Sequence, residues 1–577
     1  MRAILKRQTR QAFQRQLTGG CVVDKPNLPT SLMNKTVPLL LSLAFTSVVP
    51  ATHAQADPDN PIAKAQPLRS EPGHGPLWPE ISKNPPPSQI TSWNAYSWQF
   101  IDAPVFRLLP IPETAEYRAV VRQADKTWTV RAKTPLLDLA KIWHKLKTKK
   151  FSLTIEWVDQ DGKIIRSESR DRVKAPDFKG FNEPMDNWAA AADRNIAFLI
   201  DDATNSPAPY REPGVPAWIW NATRSHPTAY PCLTINAMTW GFLGHVENGG
   251  AQSVEAMRLA RVGADWVLEH RQPDSGALPL FPYSTVSKGK FGGNVEGESV
   301  NLLRASWLAI SFVDLYLATQ HEPYLTYARH IADTTVKFQN ADGSFPYRLN
   351  PRTGAVVEQY TPTAMEFVEL VEKLAPLGYD ARRAMAAQRA VEWMLAYVCT
   401  THNWKGTFED VGEQKFYVNL SHFGAQQLIR YLCQHKAENP DYLPTAIRLN
   451  RWIEDQFVDF GPENEASPVR VKGPLLFEQF VCFWPMEVHA GNWIFSLIEL
   501  HKATGKKIYL DKAKAAGNAI CAQQYPDGQF TTWGRDYETG ICPVDNHGDR
   551  AVNSWYNCNA YTDCALYKLT LYVKGLH

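Results

Sequence analysis

Gln523-Gln524-Tyr525-Pro526-Asp527-Gly528-Gln529-Phe530 ends a helix-period segment with a turn-forming Asp-Gly pair and then supplies an apolar side chain. This is the pattern of a helix stop followed by a docking residue. Versions of it recur as Arg271-Gln272-Pro273-Asp274-Ser275-Gly276-Ala277-Leu278 and Phe338-Gln339-Asn340-Ala341-Asp342-Gly343-Ser344-Phe345. A weaker version, Thr401-His402-Asn403-Trp404-Lys405-Gly406-Thr407-Phe408, has Lys-Gly in place of Asp-Gly. The anchors Gln272, Gln339, His402 and Gln524 are separated by 67, 63 and 122 residues, and 122 is two steps of 61. A degenerate copy is therefore expected near residue 463, where Trp452 to Phe460 ends a helical run before Gly461-Pro462. The period is near 60.

A period of that size with helical periodicity means one helix pair per repeat, each unable to bury its apolar face alone. The pairs fall at about 232–271, 298–339, 361–401, 420–458 and 487–524, with a single helix before them at 185–203 and one after at 555–574. If the two single helices pack together, six hairpins close a ring with no exposed end. The chain is thus expected to be mainly α, with residues 185–577 forming a closed (α/α)6 toroid.

At 577 residues the chain exceeds one ordinary domain, and 44% apolar residues with 41 Pro and 33 Gly describe a globular, loop-rich protein. A net charge of +2 argues against a nucleic-acid platform. Met33-Asn34-Lys35, the apolar run Val37 to Val49 and then Ala51-Thr52-His53-Ala54 have the parts of a secretory signal peptide. The run is too short to span a bilayer, so cleavage after Ala54 or Ala56 is expected rather than stable membrane insertion. Residues 1–56 read as an over-extended start plus this signal (33–54), with Met33 the native start. Export to a bacterial periplasm or beyond follows. A lipid anchor at Cys21 is the rival reading, but no apolar run precedes that cysteine.

Residues 57–92 are Pro-rich and aperiodic, a linker by composition. Tyr117 to Val121 and Phe151 to Trp157 then alternate as half-buried strands, the second followed by a turn at Gln160-Asp161-Gly162. Residues 93–180 therefore read as a small β-sandwich of immunoglobulin or fibronectin type III kind, most simply a brace for the toroid. Eight cysteines follow the signal, without zinc-ligand spacing. Most fall in apolar helical runs and read as buried thiols; Cys542 with Cys558 is the expected bridge, and no metal or cofactor is implied.

Connections within the hairpins are short, as at Gly378-Tyr379-Asp380 and Thr504-Gly505-Lys506-Lys507. Those between hairpins are long: about 272–297, 340–360, 402–419, 459–486 and 525–554. Because the helices alternate up and down, every long connection emerges on one face, which is the candidate site. That face carries Glu298, Arg348, Glu409, Asp410, Tyr417, His422, Glu478, Trp484, Glu487, His489, Trp533 and Trp555. Plainer roles compete for several of them. Glu298, His422 and Glu487 open helices and could simply cap backbone N–H groups. His489 shares a helix face with Trp493, as a core histidine would, and the 19 Trp could fill a large ring. Trp484, Trp533 and Trp555 in long connections also suit stacking on sugar faces.

The hairpin count, the Asp-Gly repeat ends and the front sandwich resemble the six-hairpin glycosidase superfamily, which includes glycoside hydrolases, polysaccharide lyases and uronate epimerases. The resemblance covers residues 185–577 in architecture. The repeat ends also resemble the Gln-rich motifs of triterpene cyclases, whose toroid is related, but that family's Asp-x-Asp-Asp motif is absent here. The first resemblance implies a secreted enzyme acting on a poly- or oligosaccharide. For hydrolysis, the best-placed carboxylates are Glu409 or Asp410 with Glu487, Glu298 and Glu478 being reserves. For β-elimination or epimerisation of an acidic glycan, Tyr417, His422 or His489 would move the proton, and Arg348, Arg470 or Arg535 would neutralise the carboxylate. A non-catalytic glycan-binding protein would have the funnel without a competent pair.

Overall fold

A computed structural model describes residues 99–108, 111–178, 187–206, 212–224, 228–292, 299–358, 361–401, 403–406, 421–461, 469–479, 482–540 and 554–576. The front part is mainly β, with one helical turn at Ala140–Trp143 and strands β1 (Gln99–Phe100), β2 (Val105–Arg107), β3 (Glu116–Gln123), β4 (Lys126–Ala132), β5 (Leu136–Asp138), β6 (Lys150–Val158) and β7 (Ile164–Lys174). They form a five-stranded sheet in the order β1-β7-β6-β3-β4 and a two-stranded ribbon of β2 and β5. Tyr117, Ala119 and Val121 alternate inward along β3, opposite Trp157, Ile155 and Leu153 of β6. Phe106 and Leu137 of the ribbon share one buried core with these residues.

The remainder is helical. Among the described residues the helices of ten residues or more are α1 (Trp188–Asn205), α2 (Pro231–Glu247), α3 (Ser253–Glu269), α4 (Leu302–Thr319), α5 (Glu322–Val336), α6 (Met365–Leu374), α7 (Ala381–Trp393), α8 (Phe423–Gln434), α9 (Tyr442–Phe457), α10 (Glu487–Thr504), α11 (Lys507–Gln523) and α12 (Tyr556–Lys574). Each even-numbered helix from α2 to α10 packs on the odd-numbered helix that follows it, and α12 packs on α1. The even-numbered helices also pack on one another in succession, and α12 returns to α2, so they form a closed inner ring. The fold is an (α/α)6 toroid. The inner helices are the more deeply buried: α4, the one described helix apolar and long enough to cross a membrane, lies largely inside the ring.

The repeat ends show why the ring closes where it does. Gly276, Gly343 and Gly528 have φ of +96°, +94° and +94°, a left-handed turn that only glycine adopts without strain. Leu278, Phe345 and Phe530 behind them are fully buried. At the end of α5, Gln339 Nε2 donates to Gly343 O at 2.9 Å and to Ala386 O of the next outer helix, α7, at 2.8 Å. Gln524, after α11, donates to Gly528 O at 2.8 Å and to Ala191 O of α1 at 2.7 Å. Arg389 and Arg194 donate to the two Gln Oε1 atoms in turn. The last repeat thus grips the first helix as a middle repeat grips its successor.

Two expected boundaries shift. α4 starts at Leu302, where Asn301 Oδ1 accepts the N–H groups of Leu303 and Arg304, so the cap is Asn301 and not Glu298. The run expected to reach Phe460 ends as helix at Phe457 and continues as β14 (Val458–Asp459). Cys232, Cys433, Cys521 and Cys558 are buried. Cys542, the partner expected for Cys558, and the degenerate repeat end near 463 lie outside the described residues.

Candidate active site

All six inner helices begin at the end of the ring where the long connections lie. Three small sheets organise that end: β8 (Thr228–Ala229) with β9 (Val286–Ser287) and β10 (Lys290–Phe291); β11 (Val300–Asn301) with β12 (Arg348–Leu349) and β13 (Val356–Glu358); and β14 with β15 (Leu475–Gln479) and β16 (Cys482–Met486). β16 runs straight into α10, so it delivers Glu487 and His489 to the start of an inner helix. β15 carries Glu478 beside them, and Met486 pairs with Trp533 of the following connection. His422 stands at the start of α8, the neighbouring inner helix.

These elements bring His422, His489 and Glu478 together, and they set Glu487 against a different partner, Thr531. The two imidazoles meet edge to face, with centroids 4.8 Å apart and planes at 80°. Phe423 and Phe457 wall them in, at 4.8 Å from His489 and 5.1 Å from His422. His489 Nε2 lies 4.0 Å from Glu478 Oε1. The Thr531 hydroxyl donates to Glu487 Oε1. His422 makes no side-chain cap bond at the start of α8, whereas the Glu487 carboxyl does accept from its own main-chain amide in the first turn of α10.

Burial sets the protonation states. Glu487 is fully buried, which pushes its carboxyl up to about 8, against the Thr531 hydroxyl, Arg535 and the amides of Glu487 and Thr531, which stabilise the carboxylate. The helix N-terminus also favours a carboxylate here, by about 1 kcal/mol in typical cases, and burial outweighs it. Burial pushes His422 down to about 3, with Gln426 and the Phe477 main chain opposing. His489 falls well below the ordinary histidine value, from burial first and His422 second. Burial thus favours the protonated form of the Glu487 carboxyl and the neutral form of both imidazoles.

Glu487 Oε2 and both ring nitrogens of His489 are buried without a hydrogen-bond partner among the described residues. Further round the inner ring, Thr234 Oγ1, Asn301 Nδ2 and Asn559 Oδ1 are buried in the same condition near the starts of α2, α4 and α12. Buried polar atoms in this condition are not confined to that end of the ring: Asn248 Oδ1 after α2 and Arg172 Nε on β7 share it.

No family model matches the chain, and no curated protein matches it. Solved structures similar to it include a family 76 glycoside hydrolase from a bovine Bacteroides thetaiotaomicron strain, 11% identical over 82% of this chain and 98% of that one, with a TM-score of 0.47. Another is cellobiose 2-epimerase from Spirochaeta thermophila, 10% identical over 68% and 98%, with a TM-score of 0.48. A polysaccharide lyase is 13% identical over 83% and 64%, with a TM-score of 0.41.

The other expected residues are more scattered. Arg348 is buried, with Nη1 donating to Glu358 Oε1 at 2.8 Å and Nη2 to the Tyr347 hydroxyl at 2.9 Å. Arg470 forms a bidentate pair with Asp536, at 2.8 and 3.0 Å, and also bonds Glu538. The charges of both arginines are already matched. Trp533 is buried, and Trp555 is half-buried and stacked on Tyr230 with centroids 6.0 Å apart. Trp484 is carried by β16. Glu298, Glu409, Asp410 and Tyr417 lie outside the described residues. Two residues of the cluster were not foreseen. Gln426 looks like any helical glutamine in sequence, and Thr531 is marked only by following the last repeat end.

Proposed function

We propose that the protein is a carbohydrate-active enzyme that cleaves glycosidic bonds of a poly- or oligosaccharide, with Glu487 as the proton donor. The observation that carries this is a fully buried carboxyl at the start of an inner helix, raised to about 8, with one oxygen bonded by Thr531 and the other unpaired among the described residues. A general acid for glycoside cleavage must hold its proton at neutral pH and release it to a departing sugar oxygen. Glu487 meets the first condition through burial. A hydroxyl-rich ligand supplies both donors and acceptors to the orphaned atoms, which a simple anion or an apolar molecule does not. The second carboxylate is assigned to Glu478, Glu409 or Asp410. Trp555 and Trp533 are proposed to contact sugar faces, and Trp484, Glu298 and Arg348 to support the binding cleft. Export through the Met33 to Ala54 segment fits an enzyme whose substrate is a polymer outside the cell.

The neutral pair His422 and His489 favours a second reading, β-elimination from or epimerisation of a uronate, with Tyr417 as a further proton carrier. That chemistry needs a cation for the uronate carboxylate. Arg348 and Arg470 are already paired with Glu358 and with Asp536 and Glu538. Arg535, which acts on the Glu487 carboxyl, remains a candidate for that role, and hydrolysis is placed first on the raised Glu487 carboxyl and not on the lack of a cation. A polysaccharide panel read for reducing ends and for the ultraviolet absorbance of unsaturated uronates tests this. New reducing ends without that absorbance, abolished by Glu487→Gln, are expected; unsaturated products formed by a Glu487→Gln variant would transfer the assignment to the histidines.

A further inference from the structure

We propose that Thr531 is a positioning residue for proton delivery by Glu487: its hydroxyl claims Oε1, so that the transferable proton sits on Oε2. The inference rests on reading Glu487 as the proton donor and adds which oxygen donates and what selects it.

The geometry is built by the last copy of the repeat. Phe530 is fully buried and its N–H donates to Asn195 Oδ1 of α1 at 3.2 Å, which fixes the chain immediately before Thr531. The bridge between Met486 and Trp533, and the Gly534 N–H to Pro485 O bond at 2.7 Å, set this segment in register against the strand that opens α10. Gln523 Oε1 accepts the Arg535 N–H at 2.5 Å, and Arg535 Nη2 donates to Gln524 O at 3.1 Å. The Arg535 guanidinium lies 4.4 Å over the Tyr525 ring. The motif that closes the ring therefore also sets a hydroxyl on the Glu487 carboxyl and holds a guanidinium whose charge favours its ionised form.

In a protonated carboxyl the carbonyl oxygen is the stronger acceptor, so a hydroxyl donating to Oε1 favours the tautomer with its carbonyl at Oε1 and its O–H at Oε2. Glu487 Oε2 is buried with no partner among the described residues. The proton leaves Oε2 for the departing glycosidic oxygen as the carbon–oxygen bond breaks. The carboxylate left behind has Oε1 already bonded to Thr531, and the water that completes hydrolysis returns a proton. The charged side chain that bears on Glu487 among the described residues is Arg535, from the 525–554 connection, while His422, His489 and Glu478 from α8, α10 and β15 contact one another. Burial keeps both imidazoles neutral, and among the groups that favour the carboxylate Thr531 leads and Arg535 follows.

The test measures kcat and KM against pH on the glycan that the parent protein cleaves, for Thr531→Val, Thr531→Ser and Glu487→Gln. Thr531→Val is expected to lower kcat about 10- to 100-fold with KM nearly unchanged. It should also move the alkaline limb upward by about one pH unit, because the lost hydrogen bond stabilised the carboxylate. Thr531→Ser should restore both; Thr531→Ala replaces the valine variant if that one does not fold. An unmoved alkaline limb in the valine or alanine variant, or a serine variant that rescues nothing, overturns the inference. Retained activity in Glu487→Gln overturns the reading beneath it, and the two failures are separately visible.

Discussion

Closure of the ring can be tested by truncating one side chain at two equivalent places. Gln524→Ala removes two donated bonds, to Ala191 O at 2.7 Å and Gly528 O at 2.8 Å, and the bonds accepted from Arg194 at 2.7 and 3.1 Å. Gln339→Ala removes the corresponding bonds to Ala386 O and Gly343 O and that from Arg389. With about 1 kcal/mol for each amide bond and less for the exposed guanidinium, each truncation should cost about 2–3 kcal/mol. Gln339 ties together two outer helices that are close in sequence. Gln524 ties α11 to α1, more than 300 residues apart in the chain. In a closed ring the two costs are alike; in an open array the contact at 524 is missing and its truncation is nearly silent. Urea unfolding followed by circular dichroism reads the difference, since each variant should lower the midpoint without changing the slope. A Gln339→Ala variant that loses about 2 kcal/mol beside a Gln524→Ala variant that loses under about 0.5 would refute closure.

The remaining predictions are these. Gly528→Ala and Gly343→Ala place a methyl 2.6 and 2.3 Å from the main-chain oxygens of Arg194 and Arg389 at φ +94°, so each should destabilise by about 2–4 kcal/mol in the same unfolding assay. Stability should also depend on pH through Glu487. Its carboxyl is raised from 4.5 to about 8, so between those values the folded protein holds a proton that the unfolded chain has released. The stability this group contributes is full below about 4.5 and declines as pH rises through about 8; Glu487→Gln should flatten that slope, which parallel denaturation series would show. Protein recovered from the periplasm or medium should begin near Gln55 or Asp57 on N-terminal sequencing; an intact Met1 in the cytosol would end the export proposal.

The ring was legible in the sequence because its information is periodic. Gln272, Gln339 and Gln524 recur with their Asp-Gly or Ser-Gly turns, and each copy repeats one local solution for ending an outer helix and docking it on the next. The partner half of that solution is written too: Ala191-Ala192-Asp193-Arg194 and Ala386-Ala387-Gln388-Arg389 present the carbonyl and the guanidinium that Gln524 and Gln339 engage. Site chemistry has no such periodicity. Glu298, Arg348, Glu478 and Glu487 are alike to the eye as charged residues in long connections, and only packing separates them. Arg348 meets Glu358 across two strands and is neutralised, whereas Glu487 meets a threonine and stays protonated.

The repeat and the site are joined at one place, and that explains why the departure from repetition matters. After Phe345 the chain continues Pro346-Tyr347-Arg348, which turns the arginine into β12 and toward Glu358. After Phe530 it continues Thr531-Thr532-Trp533, whose first hydroxyl reaches Glu487 and whose second accepts the Trp555 N–H at 2.7 Å. The same buried aromatic therefore starts two different connections from the same position relative to the ring. Since an (α/α)6 toroid supplies six such starting points on one face, a repeat can diverge just past its docking residue without disturbing closure, and the chemistry of the face follows from which copies diverge.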